Sequence, residues 1–238
     1  MKSLRHAILL TALALIATPC LVTAEEHDAI KPVPRQGGWM TRHQSFNKRV
    51  AEGNVDLVFI GDSITQGWEG GGKDVWAKFY GKRNAVNLGI GGDRTQHVIW
   101  RLDHENVKNI SPKAAVVMIG TNNSGSNTPE QIAEGVAAIV KQLRTKLPKT
   151  QVLLLAVFPR GPDKNDNRRQ VNEKTNQIFK QLADGKHVHY LDIGPKFLQD
   201  DGTLTREIMP DLLHLSKKGY TIWAESIEPT LKRLMGEK

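Results

Sequence analysis

From residue 50 onward, short apolar runs alternate with amphipathic stretches, and this alternation constrains the fold more than any other feature of the chain. The first run covers residues 55–60, and the others begin near residues 85, 114, 152 and 187. The last three are apolar nearly throughout or closely alternating, which is typical of strands covered on both faces. Strands that alternate with helices require crossover connections, so the sequence predicts an α/β domain with a parallel sheet and helices on both faces.

Three helices stand out between and after these strands. The clearest has Pro129 and Glu130 in its opening turn, and its apolar residues recur at helical spacing along one stripe. That stripe consists of Ile132, Val136, Ile139, Val140, Leu143 and Leu147. A second helix is predicted from about Asn167 to Leu182 and the last from Ser216 to Leu234. The second helix is expected to face inward through Val171, Ile178, Phe179 and Leu182.

The amino terminus has the pattern of a secretory signal peptide. Two basic residues precede an apolar run that ends in small residues at Ala24, where cleavage is predicted. A membrane anchor needs about 20 apolar residues, more than this run has, and acidic residues follow directly. A lipoprotein signal would use Cys20, but the residues before it fit that signal poorly. We therefore predict an exported protein with a signal peptide at 1–24, a polar joining segment at 25–38 and one folded α/β domain at 39–238.

Charge and cysteine content exclude several classes of protein. The formal net charge is +8, and removal of residues 1–24 takes away two basic and no acidic side chains, which lowers it to +6. The basic residues are scattered without interleaved aromatic residues, so we expect no nucleic-acid partner and at most a weak attraction to anionic polysaccharide or lipid headgroups. No stable membrane insertion is expected. A chain whose single cysteine lies in the signal is indifferent to an oxidising compartment.

An open parallel sheet carries its functional residues in the loops after its strands, and the first such loop supplies a candidate nucleophile. Ser63 follows the first strand in the sequence Gly-Asp-Ser, where its hydroxyl can project from the sheet edge. A serine needs a neighbouring base that a third group orients. Asp211 and His214 are three residues apart, so the carboxylate can reach the imidazole and fix its tautomer. The alternative interpretation is a plain surface turn before the last helix, capped by Ser216.

Two further strand ends supply candidate donors for an oxyanion hole. They are residues 87–93, which contain a glycine string, and residues 120–123, which contain two asparagines. Glycine lets a backbone N–H approach a ligand closely, and an asparagine amide offers a second donor. The glycine string is not a dinucleotide-binding loop, because Arg94 occupies the position of the third glycine. Each segment taken alone is also compatible with an ordinary turn.

Taken together, these motifs resemble the SGNH, or GDSL, hydrolase family. The order is serine, glycine, asparagine and Asp-x-x-His, and the similarity extends over nearly the whole chain after the signal. It is greatest to the subgroup of catalytic subunits of intracellular platelet-activating-factor acetylhydrolase. The stretches that carry it are WMTRH at 39–43, VFIGDSITQ at 58–66, NLGIGGDRTQHVIWRL at 87–102, GTNN at 120–123, PRG at 159–161 and LHLSKKGY at 213–220.

The resemblance implies a flavodoxin-like three-layer α/β/α sandwich with a parallel sheet of about five strands. It assigns Ser63 as the nucleophile, His214 as the general base and then acid, and Asp211 as the residue that orients it. It assigns the oxyanion hole to the backbone N–H groups of Ser63 and Gly92 with the side chain of Asn122. Asp62 is expected to cap the turn rather than to react. No cofactor and no metal are implied.

Other features bear on metals, partners and access to the site. His187 and His189 have ligand-like spacing, but a half-buried strand is the favoured interpretation of that pair. The related subunits pair as dimers, so a homodimer is possible. Asp93 and Arg94 are expected to shape the entrance to the site, with a solvated helix start as the alternative for Arg94.

The expected activity is hydrolysis of short-chain esters, with acetyl esters first. Ile64 and Leu213 are predicted to flank a small acyl pocket, and packing into the core is the alternative for both. Since the chain is predicted to be exported, O-acetyl groups on carbohydrates are favoured as substrates over an acetylated lipid. A thioesterase or a peptidase would use the same residues. A non-catalytic carbohydrate-binding protein on this scaffold is the alternative from another class.

Overall fold

The centre of the molecule is a parallel sheet. A computed structural model describes residues 27–237. Within that range, one five-stranded sheet has the order β2-β1-β3-β4-β5. The strands are β1 Leu57–Gly61, β2 Ala85–Gly89, β3 Ala114–Met118, β4 Gln151–Leu155 and β5 Val188–Leu191. Gly61 lies opposite both Gly89 and Met118, so the first three strands end together at one edge of the sheet.

Helices cover both faces of this sheet. They are α1 Gly38–Ala51, α2 Ser63–Gln66, α3 Lys73–Phe79, α4 Thr95–Asp103, α5 Pro129–Lys146, α6 Asn167–Phe179 and α7 Lys217–Met235. Short 3₁₀ helices lie at Asp28–Ile30, Gly67–Glu69, Lys180–Leu182 and Gly194–Phe197. These elements form the α/β/α sandwich that the sequence predicts.

Strand β1 shows why the sheet has two buried faces. Its side chains alternate, so Val58 and Ile60 enter one hydrophobic core while Leu57 and Phe59 enter the other. The first core is shared with helices that include α4 and α5, and the second with α3 and α7. Because both faces are covered, β1 is buried along its whole length.

Helix α5 agrees with its prediction, whereas α6 departs from it. Helix α5 begins at Pro129, and its Thr128 cap exchanges hydrogen bonds with Gln131. In α6, Ile178 is 39% exposed instead of facing inward. Asn176 is buried in its place, where it accepts from the Val157 N–H and donates to the Val157 carbonyl. These backbone groups lie past the end of β4 and need polar partners, which an apolar stripe cannot supply.

Residues 27–38, the described part of the predicted joining segment 25–38, pack against the domain. Ala29 is fully buried, and its carbonyl accepts a hydrogen bond of 2.7 Å from the Thr95 hydroxyl. Asn127 donates to Asp28 over 2.6 Å. The segment is therefore part of the folded unit. The predicted signal peptide and its cleavage after Ala24 lie outside the described residues. Among the described helices, none has the length and apolar character needed to cross a membrane.

Candidate active site

The end of β1 places Ser63 at the carboxyl edge of the sheet. Asp62 caps the short helix α2 by accepting the Ile64 N–H over 2.9 Å, which agrees with the expected capping role. A side chain on Gly61 would collide with the Met118 carbonyl, at 2.4 Å from its Cβ. The glycine therefore lets the chain turn tightly against β3, and the serine that follows the turn is held at the surface of the site.

Asp211, His214 and Ser63 form a continuous hydrogen-bonded chain. His214 Nδ1 is 2.6 Å from Asp211 Oδ2, and His214 Nε2 is 2.8 Å from Ser63 Oγ. With its Nδ1 proton directed at the carboxylate, the imidazole is left to accept the serine proton at Nε2. The structure thus brings together three residues that the sequence separates by as many as 151 positions, in the geometry that activates a nucleophile.

A compact turn orients the histidine. Asp211 Oδ1 accepts the backbone N–H groups of Leu213 and His214, at 3.0 and 2.7 Å. Leu212, between Asp211 and Leu213, adopts a left-handed conformation with φ of 61°, which is uncommon for a residue with a branched side chain. Burial acts to raise the pKa of Asp211, but its hydrogen bonds to His214 outweigh burial and the pKa lies below its usual value. Asp211 therefore stays ionised beside the imidazole.

The loop that carries Gly92 passes beside Ser63 and is bonded to the side chain of Asn122. Gly92 adopts φ of 73°, a conformation suited to glycine, and a Cβ on the preceding Gly91 would lie 3.8 Å from Ser63 Cβ. Half-buried Asn122 donates one amide hydrogen to the Asp93 carbonyl over 2.9 Å. That bond fixes the amide plane and leaves its second hydrogen available for a substrate oxygen.

Asp93 does not shape the entrance as expected, because its side chain is fully buried. Its carboxylate accepts from Trp39 Nε1 over 2.6 Å and from Arg101 Nε over 2.9 Å. Arg101 is also fully buried, and it reaches Asn106 at 2.6 Å and the Gly61 carbonyl at 3.4 Å. Burial raises the pKa of Asp93, opposed chiefly by the Arg101 charge. The pair joins the loop that carries Gly92 to the strand end before Ser63.

Ile64, Leu213 and Arg94 are the other residues predicted to lie near the substrate. Ile64 is 1% exposed and belongs to the hydrophobic core, so the core alternative describes it and its side chain does not line an acyl pocket. Leu213 is half-buried beside His214. Arg94 pairs with Asp28 at 3.2 Å and donates to Ser126 and Asn127, which ties the loop after β2 to the N-terminal segment.

Asp62 places a buried carboxyl group directly before the nucleophile. Its side chain is fully buried, and its Oδ2 has no hydrogen-bond partner among the described residues. Burial raises the pKa of Asp62 to about 7, and the nearby Asp93 carboxylate acts in the same direction. The hydrogen bond from Ile64 opposes this effect. A group poised to gain or lose a proton near neutral pH thus lies directly before Ser63 in the chain.

Sequence reasoning missed three arginines of this region. Arg101 and Arg160 both lie in stretches that carry the family resemblance, Arg160 in the Pro-Arg-Gly stretch. The resemblance therefore points to both residues but assigns a role to neither. No sequence pattern indicates a role for Arg35, because it lies in the predicted joining segment. His189, from the pair with ligand-like spacing, bonds instead to Gln151 on the neighbouring strand at 2.9 Å.

Comparison with known proteins decides the family. Residues 59–222 match the model of the GDSL-like lipase/acylhydrolase family. The chain belongs to this family. Human platelet-activating factor acetylhydrolase IB subunit alpha1 is 38% identical to the hydrolase over 224 residues, which cover 91% of this chain and 94% of the relative. The rat alpha2 subunit is 36% identical over 200 residues, with coverage of 84% and 86%. This hydrolase is therefore a carboxylic ester hydrolase.

Solved structures show the same fold at lower identity. A GDSL-like lipase from Bacteroides thetaiotaomicron has a TM-score of 0.65 at 18% identity and covers 81% of the hydrolase and 97% of its own chain. The acetylxylan esterase Axe2 from Geobacillus stearothermophilus has a TM-score of 0.60 at 18% identity, with coverage of 78% and 96%. These neighbours confirm the three-layer sandwich of the SGNH hydrolases.

The prediction that the hydrolase is exported is wrong. Its curated relatives are subunits of platelet-activating factor acetylhydrolase IB, which is the intracellular type of that enzyme. An apolar run after basic residues has the signal-peptide pattern whether or not the segment is ever used for export, so the pattern alone misled the interpretation.

Proposed function

We propose that the protein hydrolyses acetyl esters through an acyl-enzyme on Ser63, with the ester carried by a lipid alcohol. The observation that carries the chemistry is the unbroken chain from Asp211 through His214 to Ser63, with contacts of 2.6 and 2.8 Å. The names of the relatives, which are 36–38% identical in sequence over most of the chain, support an acetyl group and a lipid alcohol in the substrate. The preference for carbohydrate esters rested on export and loses that support.

The first half of the reaction forms the acyl-enzyme. His214 Nε2 takes the hydroxyl proton as Ser63 Oγ attacks the ester carbonyl carbon. The negative charge moves to the carbonyl oxygen, where the N–H groups of Ser63 and Gly92 and the amide of Asn122 donate to it. The bond to the alcohol then breaks, and the alcohol oxygen receives the proton from His214. The acetyl group remains on Ser63.

The second half releases acetate. A water molecule gives its proton to His214 Nε2 and attacks the acyl carbon, and the same donors hold the oxyanion. The bond to Ser63 Oγ breaks, and the serine takes the proton back from His214. Asp211 stays ionised throughout, which its lowered pKa favours, and stabilises the imidazolium that forms twice in each cycle.

The test is the rate of hydrolysis of 4-nitrophenyl acetate, butyrate and octanoate by the full chain. Ser63→Ala is expected to lower kcat by about 10⁴-fold or more, since it removes the nucleophile. Ser45→Ala is the matched control, because Ser45 is an exposed helix serine whose hydroxyl donates to the Arg42 carbonyl. Activity is expected to fall as the acyl chain lengthens. Retention of activity by Ser63→Ala would refute the assignment, and equal rates on acetate and octanoate would refute the preference for acetyl.

A further inference from the structure

A half-exposed arginine lies against the loop that carries Gly92, a predicted donor of the oxyanion hole. Arg35 precedes α1, and its Nη1 donates to the Gly91 carbonyl over 2.8 Å. A Cβ on Gly92 would be 3.1 Å from Arg35 Nη1 and 3.4 Å from Nη2, so the guanidinium covers the backbone of that glycine. The side chain is 40% exposed. Its charge is therefore presented to solvent beside a predicted donor of the oxyanion hole.

Asp93 pairs with this arginine only at long range and shares its charge with Arg101. The closest approach is 3.7 Å from Arg35 Nη1 to Asp93 Oδ1, whereas Arg101 contacts the same carboxylate at 2.9 Å from within the protein. One buried carboxylate thus faces two guanidinium groups, and Arg101 holds the better geometry. The positive charge of Arg35 is therefore only partly compensated by Asp93.

A second arginine contacts the residue that precedes Asn122 in the chain. Arg160 Nη1 donates to the carbonyl and hydroxyl oxygens of Thr121, at 3.4 and 3.2 Å, and Thr121 precedes Asn122 in the chain. Among residues 27–237, no carboxylate pairs with Arg160 within 4.0 Å, although the charges of Asp166, Asp62 and Asp211 are near enough to influence it. Its neighbour Gly161 donates to the Leu212 carbonyl over 2.9 Å, which ties this arginine to the histidine turn.

The two guanidinium groups therefore contact residues at or next to two donors of the oxyanion hole. The alcohol part of an ester is bonded to the carbonyl carbon, so it must lie within a few ångströms of these donors. Guanidinium groups bind phosphate and carboxylate oxygens through paired N–H donors. We propose that Arg35 and Arg160 form a subsite for an anionic group on the alcohol part of the substrate. This inference rests on the proposed function and narrows its substrate class.

The experiment compares anionic and neutral acetyl esters of the same alcohols. The phosphate pair is 1-acetylglycerol 3-phosphate with 1-acetylglycerol, and the carboxylate pair is 3-O-acetylglycerate with its amide. Acetate release gives kcat/KM for each ester. We expect the full chain to prefer the anionic member by about tenfold or more, because a hydrogen bond to a charged group contributes about that factor. The larger ratio of the two pairs identifies which anion the subsite accepts.

Variants assign the preference to the two side chains. Arg35→Gln and Arg160→Gln are each expected to reduce the anionic-to-neutral ratio by several fold, mainly through KM, and the double variant to abolish it. Arg35→Lys keeps the charge and is expected to restore part of the ratio. Arg233→Gln makes the same charge change on exposed Arg233, near the carboxyl end of α7, and is the matched control.

The results separate this inference from the proposed function. Hydrolysis of 4-nitrophenyl acetate that depends on Ser63, with equal rates on anionic and neutral esters, would overturn the subsite and leave the esterase intact. A proportional loss on both members of a pair would also overturn it, since the arginines would then support the oxyanion alone. Calorimetric titration of Ser63→Ala with the intact esters tests the subsite without turnover. Tighter binding of the anionic members supports it, and equal binding refutes it.

Discussion

The buried pair of Arg101 and Asp93 gives the sharpest test of how the site is held together. Arg101→Met removes the guanidinium and leaves the Asp93 carboxylate fully buried, with Trp39 as its remaining hydrogen-bond donor. The half-exposed guanidinium of Arg35 stays 3.7 Å away. Removing one partner of a buried ion pair costs about 3–5 kcal/mol, because the other charge stays desolvated. A domain with a free energy of unfolding of about 5–15 kcal/mol would lose a large fraction of its stability.

Urea unfolding measures this loss. If the free energy changes by about 3 kcal/mol per molar urea, a loss of about 4 kcal/mol lowers the midpoint by about 1.3 M. The double variant Asp93→Asn with Arg101→Met removes both charges, and it is expected to recover at least half of the loss. Arg49→Met is the control, since Arg49 lies partly exposed at a helix surface, and it is expected to cost less than about 1 kcal/mol.

Two results would refute this reasoning. If Arg101→Met lowers the free energy of unfolding by less than about 1 kcal/mol, the Asp93 carboxylate is not left as an unpaired buried charge when Arg101 is removed. A double variant less stable than either single variant would mean that the two side chains act through packing rather than through their charges. In either case the link between the Gly92 loop and the end of β1 would need another explanation.

Two further predictions concern the neighbours of Ser63. Asp62 holds its proton more tightly in the folded protein than in the unfolded chain, so the free energy of unfolding is expected to fall as pH rises from about 4 to about 7. Asp62→Asn should remove that part of the pH dependence in thermal unfolding, whereas the exposed Asp200→Asn should keep it; an unchanged profile would contradict the assignment. Asn122→Ala is expected to lower kcat by about 10²- to 10³-fold, unlike the exposed Asn165→Ala, and an effect confined to KM would show a binding role instead.

The sequence predicted the sheet well because strand burial leaves a strong local signal. Strand β3, from Ala114 to Met118, is buried at every position, and its composition is apolar throughout. Helix α6 was less predictable, since its inward side chains include Asn172 and Asn176, which satisfy polar groups contributed by distant parts of the chain. Hydropathy alone does not distinguish such residues from a solvated face.

The site shows the same division between local and long-range information. Asp211 and His214 are three residues apart, so one turn suffices to join them, and their pairing was predictable. The buried role of Asp93 depends on Trp39, which is 54 positions away in the chain. Arg35 reaches the Gly91 carbonyl across 56 positions. Contacts between residues so far apart in the chain arise from tertiary packing, and no local sequence pattern predicts them.

The separation of 151 positions between Ser63 and His214 also affects how the protein acquires its activity. Each strand of the parallel sheet must find its neighbour across a crossover, and such long-range contacts form slowly. His214 directly precedes the last helix, so we expect the imidazole to reach the serine only when that helix has docked on the sheet. During refolding, the return of ester hydrolysis would therefore mark this final docking step, whereas circular dichroism would detect the helices and strands earlier.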